Sequence, residues 1–128
     1  MKPRIFKRLT FLLVLPLLFG LVSCQNPLGD REYCEDLYIS IPGSESQILI
    51  KEWQYLLGSG AEVYFVQSSD AKPQLLGRLS GGDDGYCPFK NGKYRVRFSD
   101  GTVTFSWSFD GSDTYSRSES FVLPQNSD

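Results

Sequence analysis

The sequence predicts a mainly β protein, a small antiparallel β-sandwich or barrel. Short runs of alternating apolar and polar residues recur along the chain, and clusters of Gly, Pro, Asp and Ser separate them. The strongest signal is Asp100-Gly101, a pair typical of a two-residue type I′ hairpin turn. Six to eight short strands fit a sandwich or barrel, and one added helix would make the fold an α+β roll.

The first element is a strand at Leu37 to Ile41, which alternates and ends at Pro42-Gly43. The following segment, 44–57, is ambiguous. Its start fits a capping box, its apolar residues recur at helical spacing, and Gly58 is placed as a C-terminal cap. We therefore expect a helix at 44–57, with a bulged strand as the alternative.

Two further strands are predicted in the middle of the chain, at Ala61 to Gln67 and at Gln74 to Ser80. The first has apolar residues on both faces, which predicts a central strand that is covered on both sides. The run Gly81 to Gly85 ends this region, because three glycines and two aspartates in five residues are typical of a loop.

The segments 93–99 and 102–109 form the clearest hairpin, since they flank the Asp100-Gly101 turn. Arg95 and Arg97 lie on its polar face, and a one-residue slip would bury both, so the register is well specified. A two-residue turn pairs the apolar side chains on the other face: Phe98 with Val103, Val96 with Phe105, and Tyr94 with Trp107.

A third strand is expected at Thr114 to Leu123, but two registers remain open. A four-residue loop places Arg117 near Arg95, whereas a loop one residue shorter turns Tyr115 and Phe121 towards the core. Residues 124–128 are predicted to be a polar tail.

The amino terminus has a separate pattern. Four basic residues within the first eight precede Leu9 to Val22, an apolar run that is short for a spanning helix, and the run ends in Leu21-Val22-Ser23-Cys24. This arrangement resembles the lipobox signal of bacterial lipoproteins. The resemblance implies that residues 1–23 are removed and that Cys24 carries a diacylglycerol, commonly with an acylated amino terminus. An ordinary secretory signal that is cut near Ser23 is the alternative.

The resemblance also implies a location: the protein would be lipid-anchored in the cell envelope. Gln25 is not the aspartate that retains lipoproteins at the inner membrane, which favours the outer membrane. Residues 24–33 would then be the lipidated tether, whose last nine residues reach at most about 30 Å, and 34–123 a single domain.

Residues 24–128 carry nine basic and fifteen acidic side chains, a net charge of −6. This balance argues against nucleic acid as a partner, since phosphate binding requires a concentrated basic face. It also gives no attraction to anionic lipid, so the acyl chains would be the anchor.

Cys34 and Cys87 are the two cysteines beyond the lipobox, and export predicts a disulfide between them. Closing the 53-residue loop would contribute about 4 kcal/mol in the loop-entropy model. With no histidine and no further cysteine, a zinc site or a Cys/His catalytic pair is not expected. Two reduced, buried cysteines are the alternative to the disulfide.

Few residues suggest catalysis or a cofactor. Asp83-Asp84 lacks the alternating ligands of an EF-hand, so a solvated turn is expected there rather than calcium. Glu35 and Asp36 could take part in glycosidase-type acid/base chemistry, but acidic residues beside a cysteine are more typical of surface charge. We therefore expect no enzyme activity, no metal and no cofactor.

A binding surface is the best-supported functional prediction. Basic side chains near one sheet, with Tyr115 beside them, could bind carboxylates of peptidoglycan or of an acidic envelope protein, although a solvated face is the simpler interpretation. These basic residues are Lys90, Lys93, Arg95, Arg97 and Arg117.

The expected function is a non-enzymatic binding or structural module. One alternative is a small hydrolase that uses carboxylate side chains. The other is an inhibitor or immunity-type protein that blocks a wall hydrolase or phage factor, with the Gly81 to Gly85 loop as its plug.

Overall fold

Two antiparallel sheets make up the computed structural model, which describes residues 29–125. They pack as a small β-sandwich and do not close into a barrel, and residues from Arg31 onward form one compact unit. The strands are β1 (Glu32–Tyr33), β2 (Leu37–Ser40), β3 (Gln47–Tyr55), β4 (Gly58–Val66), β5 (Gln74–Ser80), β6 (Tyr94–Ser99), β7 (Thr102–Trp107) and β8 (Arg117–Val122).

The larger sheet has five strands in the order β1-β3-β4-β5, with β2 also paired to β3. Since β4 pairs with β3 along its whole length, β1 and β2 share the other side of β3 as two short edge strands. The predicted strand at Gln74 to Ser80 is confirmed as β5. The strand predicted at Ala61 to Gln67 corresponds to the later part of the longer, central β4, which begins at Gly58 and ends at Val66.

The smaller sheet confirms the predicted hairpin. Asp100 and Gly101 have φ angles of 50° and 73°, as a type I′ turn requires, and Ser99 pairs with Thr102 across them. The three predicted apolar pairs are all present: Phe98 with Val103, Val96 with Phe105, and Tyr94 with Trp107.

The third strand of this sheet takes the register that turns Phe121 towards the core. Phe121 pairs with Val103 and packs against Gly77 of the larger sheet, where a Cβ would overlap its ring. Arg117 pairs with Trp107 and therefore lies on the core side of the sheet, opposite to Arg95.

The core lies between the two sheets and is dominated by aliphatic and aromatic side chains. Phe89 joins it from the loop between β5 and β6 and packs edge-on against Phe105, with ring centroids 6.2 Å apart. The remaining buried members are Ile48, Ile50, Ala61, Val63, Leu79, Phe65, Val103 and Trp107.

The helix expected at 44–57 is wrong, because this segment contains β3. Ser44 does not cap a helix; its hydroxyl accepts the N–H of Ser46 in a local turn. Ile48 and Ile50 are both fully buried on one face of β3, which has strand partners on both sides. Gly58 does not cap a helix either, but begins β4 after a two-residue turn. Within residues 29–125 there is no α-helix, only a 3₁₀ turn at Asp83–Gly85.

Candidate functional site

The side of the five-stranded sheet that points away from the core is rich in exposed aromatic side chains, and it is called the outer face. Tyr33 and Tyr38 are both 53% exposed, and Leu75 is 47% exposed. Strand pairing and alternation place these residues on the side of the sheet opposite to the buried Ile48, Ile50 and Val63. Large exposed apolar surface of this kind is typical of an interaction site.

Four residues form an apolar row across the outer face, the tyrosine row, defined as Tyr38, Leu49, Tyr64 and Leu75. Each is the register partner of the next, from β2 through β3 and β4 to β5. Leu49 is only 2% exposed although it points away from the core, so its neighbours cover it. The row is therefore a packed ridge with a buried centre.

A second row, the charged row, runs beside the first and consists of Asp36, Lys51, Glu62 and Arg78. Lys51 pairs with Asp36 at 3.6 Å, and Arg78 pairs with Glu62 at 3.8 Å. The Tyr64 hydroxyl donates a hydrogen bond of 2.7 Å to Glu62, which raises the pKa of this phenol. The charges alternate in sign, a pattern that selects a complementary partner.

Trp53 and Tyr55 lie flat on the outer face beyond the charged row. Their rings stack at 5.6 Å with an interplanar angle of 20°. Trp53 covers Gly60 and Tyr55 covers Gly58, because a Cβ at either glycine would overlap the aromatic ring above it. The Arg31 guanidinium lies 4.1 Å from the centre of a Trp53 ring.

The β3–β4 turn places two leucines in solvent. Leu56 and Leu57 are the turn residues between Tyr55 and Gly58, and they are 74% and 63% exposed. Such turns normally carry Gly, Asn or Asp. This pair, called the leucine tip, contributes little to the core.

A cavity of about 370 Å³ lies beside the sandwich and is lined by carboxylates, among them Glu35 and Asp36. Its third carboxylate, Glu52, is only 3% exposed. The Glu52 oxygens accept the backbone N–H groups of Phe89 at 3.0 Å and Lys90 at 2.7 Å. Burial raises the pKa of Glu52, and the two amide bonds and the Lys90 charge oppose this effect. Glu52 therefore fixes the 87–91 loop to β3.

The predicted disulfide partners lie close together without being bonded. The sulfurs of Cys34 and Cys87 are 3.9 Å apart, compared with about 2.05 Å in a disulfide. Burial, with Glu52 nearby, raises the pKa of the Cys87 thiol to about 12. The disulfide stays a prediction.

Cys34, Cys87 and Glu52 also form a group of metal-ligand types whose ligand atoms lie within 4.8 Å of one another. The sequence argument against a zinc site did not foresee Glu52 in this place. Because both Glu52 oxygens already accept backbone N–H groups, the group fits a structural carboxylate beside two thiols better than a metal centre.

The predicted basic surface is only partly assembled. Arg95 and Arg97 are exposed on the outer side of the smaller sheet, and the Arg95 guanidinium lies 4.5 Å from the Tyr115 ring centre. Lys93 forms a 2.6 Å ion pair with Asp113. Arg117 lies on the opposite face of the sheet, 4.6 Å from the Phe109 ring centre. The surface thus contains two neighbouring arginines rather than the full predicted cluster.

The Gly81 to Gly85 loop is held against the domain. The Gly82 N–H donates to Tyr86, and the Asp83 N–H donates to the Phe109 carbonyl at 2.7 Å. Ser59 Oγ accepts a second bond from the Gly82 N–H, at 2.8 Å. The loop is therefore pinned on two sides, and Asp83 and Asp84 sit exposed in its 3₁₀ turn.

No family model, curated protein or solved structure matches the chain. Cys24 and the lipobox residues lie outside the described part of the chain. Within residues 29–125, no helix has the length and apolar character needed to cross a membrane.

The outer face was not predicted from the sequence, because a helix was expected at 44–57. The available signal was the alternation within this segment, where Leu49, Lys51 and Trp53 occupy odd positions between the buried even ones. Read as a strand, the segment places these side chains on one face and leaves Leu56-Leu57 as a turn.

Proposed function

We propose that the protein is a lipid-anchored lipoprotein of the bacterial cell envelope and acts as a non-enzymatic binding module. Its anchor is Cys24, on the resemblance of residues 1–24 to a lipobox signal, and Gln25 favours the outer membrane. Its partner is an envelope protein that lies on the tyrosine row and the charged row. In the oxidising envelope, Cys34 and Cys87 are joined by a disulfide.

The tyrosine row carries this proposal. Tyr38 and Leu75 expose about half of their surface at the two ends of the row, around the buried Leu49. A sheet face offers a broad surface suited to another protein, and tyrosine is enriched in the energetically important centres of such interfaces. The alternating charged row beside it would fix the orientation of the partner.

The acidic cavity supports binding rather than catalysis. A general acid or base must be free to exchange a proton with a substrate. Both Glu52 oxygens instead hold backbone amides of the 87–91 loop, and Asp36 is paired with Lys51 at 3.6 Å. The pinned Gly81 to Gly85 loop gives no support to an inhibitor that works by inserting a plug.

Capture of the partner tests the binding proposal. The full-length lipidated protein, purified with its bound partner from envelope extract, is compared with the double variant Y38S/L75S. A combined loss of about 2 kcal/mol of binding free energy from the two side chains should weaken binding by roughly 30-fold. The matched control is V122S, because Val122 is 78% exposed on the smaller sheet.

A stoichiometric protein that Y38S/L75S no longer retains, but V122S does, would support the proposal. Equal retention by both variants would remove the tyrosine row as the binding site. A bound glycan in place of a protein would change the class of partner.

The anchor is tested separately by mass spectrometry of the membrane-bound protein. We expect a chain that begins at a diacylglyceryl-modified Cys24. An unmodified Cys24, or retention of residues 1–23, would contradict the lipoprotein assignment.

A further inference from the structure

The leucine tip places two adjacent leucines in solvent at a hairpin turn. The other two-residue hairpin turn, Asp100-Gly101, uses residues that water solvates well, whereas Leu56 and Leu57 expose 74% and 63% of their surface. Two adjacent leucines at a turn do little for the fold. Their placement instead suits insertion into an apolar layer.

The residues behind the tip are ordered as a membrane interface would require. Tyr55 and Trp53 follow directly along β3, with Tyr33 beside Trp53 and the Arg31 guanidinium over the indole. Trp and Tyr favour the headgroup level, and guanidinium groups bind phosphates. Lys51, in the charged row, lies five residues from Leu56, about 17 Å along an extended strand. The charged row would thus remain outside the hydrocarbon.

β1 enters the larger sheet from the end that carries the leucine tip. Glu32 pairs with Gln54 and Tyr33 with Trp53, so the chain before Glu32 runs in the direction of the tip. Cys24 precedes Arg31 by seven residues, a reach of at most about 25 Å. An acyl chain on Cys24 would therefore hold this end of the domain near the bilayer.

We propose that the leucine tip inserts into the phospholipid surface to which Cys24 anchors the protein, with Trp53, Tyr55 and Tyr33 at the headgroup level. This inference rests on the proposed lipid anchor. The tip adds a second contact to the acyl chains and fixes the orientation of the domain. The tyrosine row, on the far side of the charged row from the tip, then lies farther from the membrane surface than the charged row does.

The full-length lipidated protein in vesicles of phosphatidylethanolamine and phosphatidylglycerol provides the test. The variant L57W introduces a tryptophan at the tip. The tryptophan fluorescence of the wild type, measured under the same conditions, is subtracted to remove the contributions of Trp53 and Trp107. V122W is the matched control, because Val122 is 78% exposed, at least as much as Leu57, but belongs to β8. We expect vesicles to shift the added emission of L57W to the blue and brominated lipid to quench it. V122W should show neither effect, and adding L56S to L57W should weaken both.

Flotation and mass spectrometry of the same samples separate this inference from the anchor. Suppose that the protein is bound to vesicles and has a modified Cys24, but that aqueous iodide still quenches the fluorescence of the tryptophan added by L57W. This result would overturn the tip contact and leave the anchor assignment intact. An unmodified Cys24 without flotation would overturn both. Protection of L57W that appears only with an added envelope protein would assign the tip to that protein and overturn membrane insertion.

Discussion

At the scale of single residues, Glu52 has the most unusual environment among the described side chains. It is a carboxylate that is 3% exposed on the core side of β3, where it follows Ile48 and Ile50 in the same row of inward-facing side chains. Burial of a charge is costly, and the two amide donors from the 87–91 loop offset part of that cost. The charge is therefore tolerated because it connects β3 to a loop that has no strand partner of its own.

The substitution Glu52→Gln tests this role. Glutamine keeps one acceptor and places an NH₂ group against a backbone N–H, so we expect a loss of about 1–3 kcal/mol of stability at neutral pH. Urea unfolding of both proteins in the same redox state would measure the loss. Glu35→Gln is the control, because Glu35 lines the same cavity but is exposed.

The same pair of proteins should differ in pH dependence. Because the folded state raises the pKa of Glu52 above 4.5, it binds this proton more tightly than the unfolded state does. The Glu52 contribution to stability is therefore full below pH 4.5 and is lost as pH rises through the folded pKa. The gap between wild type and E52Q should widen on acidification from pH 7. A gap that narrows would show that the pKa is not raised.

At the scale of elements, the hairpin at β6 and β7 was fully predictable and β3 was not. Asp100-Gly101 fixes a turn type, and the turn then fixes every pair along the two strands. Segment 44–57 carries cap-like residues at both ends, so local preference favoured a helix. Pairing of β3 with strands on both sides outweighed that preference, and such long-range pairing is not visible in a single sequence.

The packing of the Gly81 to Gly85 loop also depends on long-range contacts that are not visible in a single sequence. Its composition predicted a loop with a solvated turn, but the structure packs Gly81 against the Ser59 backbone, where a Cβ would overlap the carbonyl group. We expect Gly81→Ala to destabilise the domain by about 1–3 kcal/mol, since backbone cannot move aside as a flexible side chain would. Thermal unfolding against Ser80→Ala, an exposed neighbour, would measure the effect. A tolerated alanine would mean that the loop is free to move.

At the scale of the whole molecule, the sequence predicted the β-sandwich but not the surface that we assign to binding. The sandwich follows from alternation and turns, which are local signals. The outer face depends on which strands become neighbours, and the tyrosine row draws one residue from each of four strands. The approach of Glu52 to Cys34 and Cys87 is equally non-local.

The cysteine pair gives the prediction at this scale. If Cys34 and Cys87 are joined in the exported protein, reduction should release the 53-residue loop and cost about 4 kcal/mol. For a domain of this size, the melting temperature should fall by roughly 15–30 °C. C34S/C87S should have the melting temperature of the reduced wild type, and added reductant should not change it. Identical melting of wild type with and without reductant would exclude a stabilising bridge.

The division of one sheet edge between β1 and β2 has a further consequence. Residues 34–36 interrupt that edge, so the exposed backbone is offered as one stretch of two residues and one of four. Edges this short give an incoming strand little to pair with. For a protein that an anchor concentrates in two dimensions, as we propose, this interruption removes one long edge along which the sheets of neighbouring copies could pair.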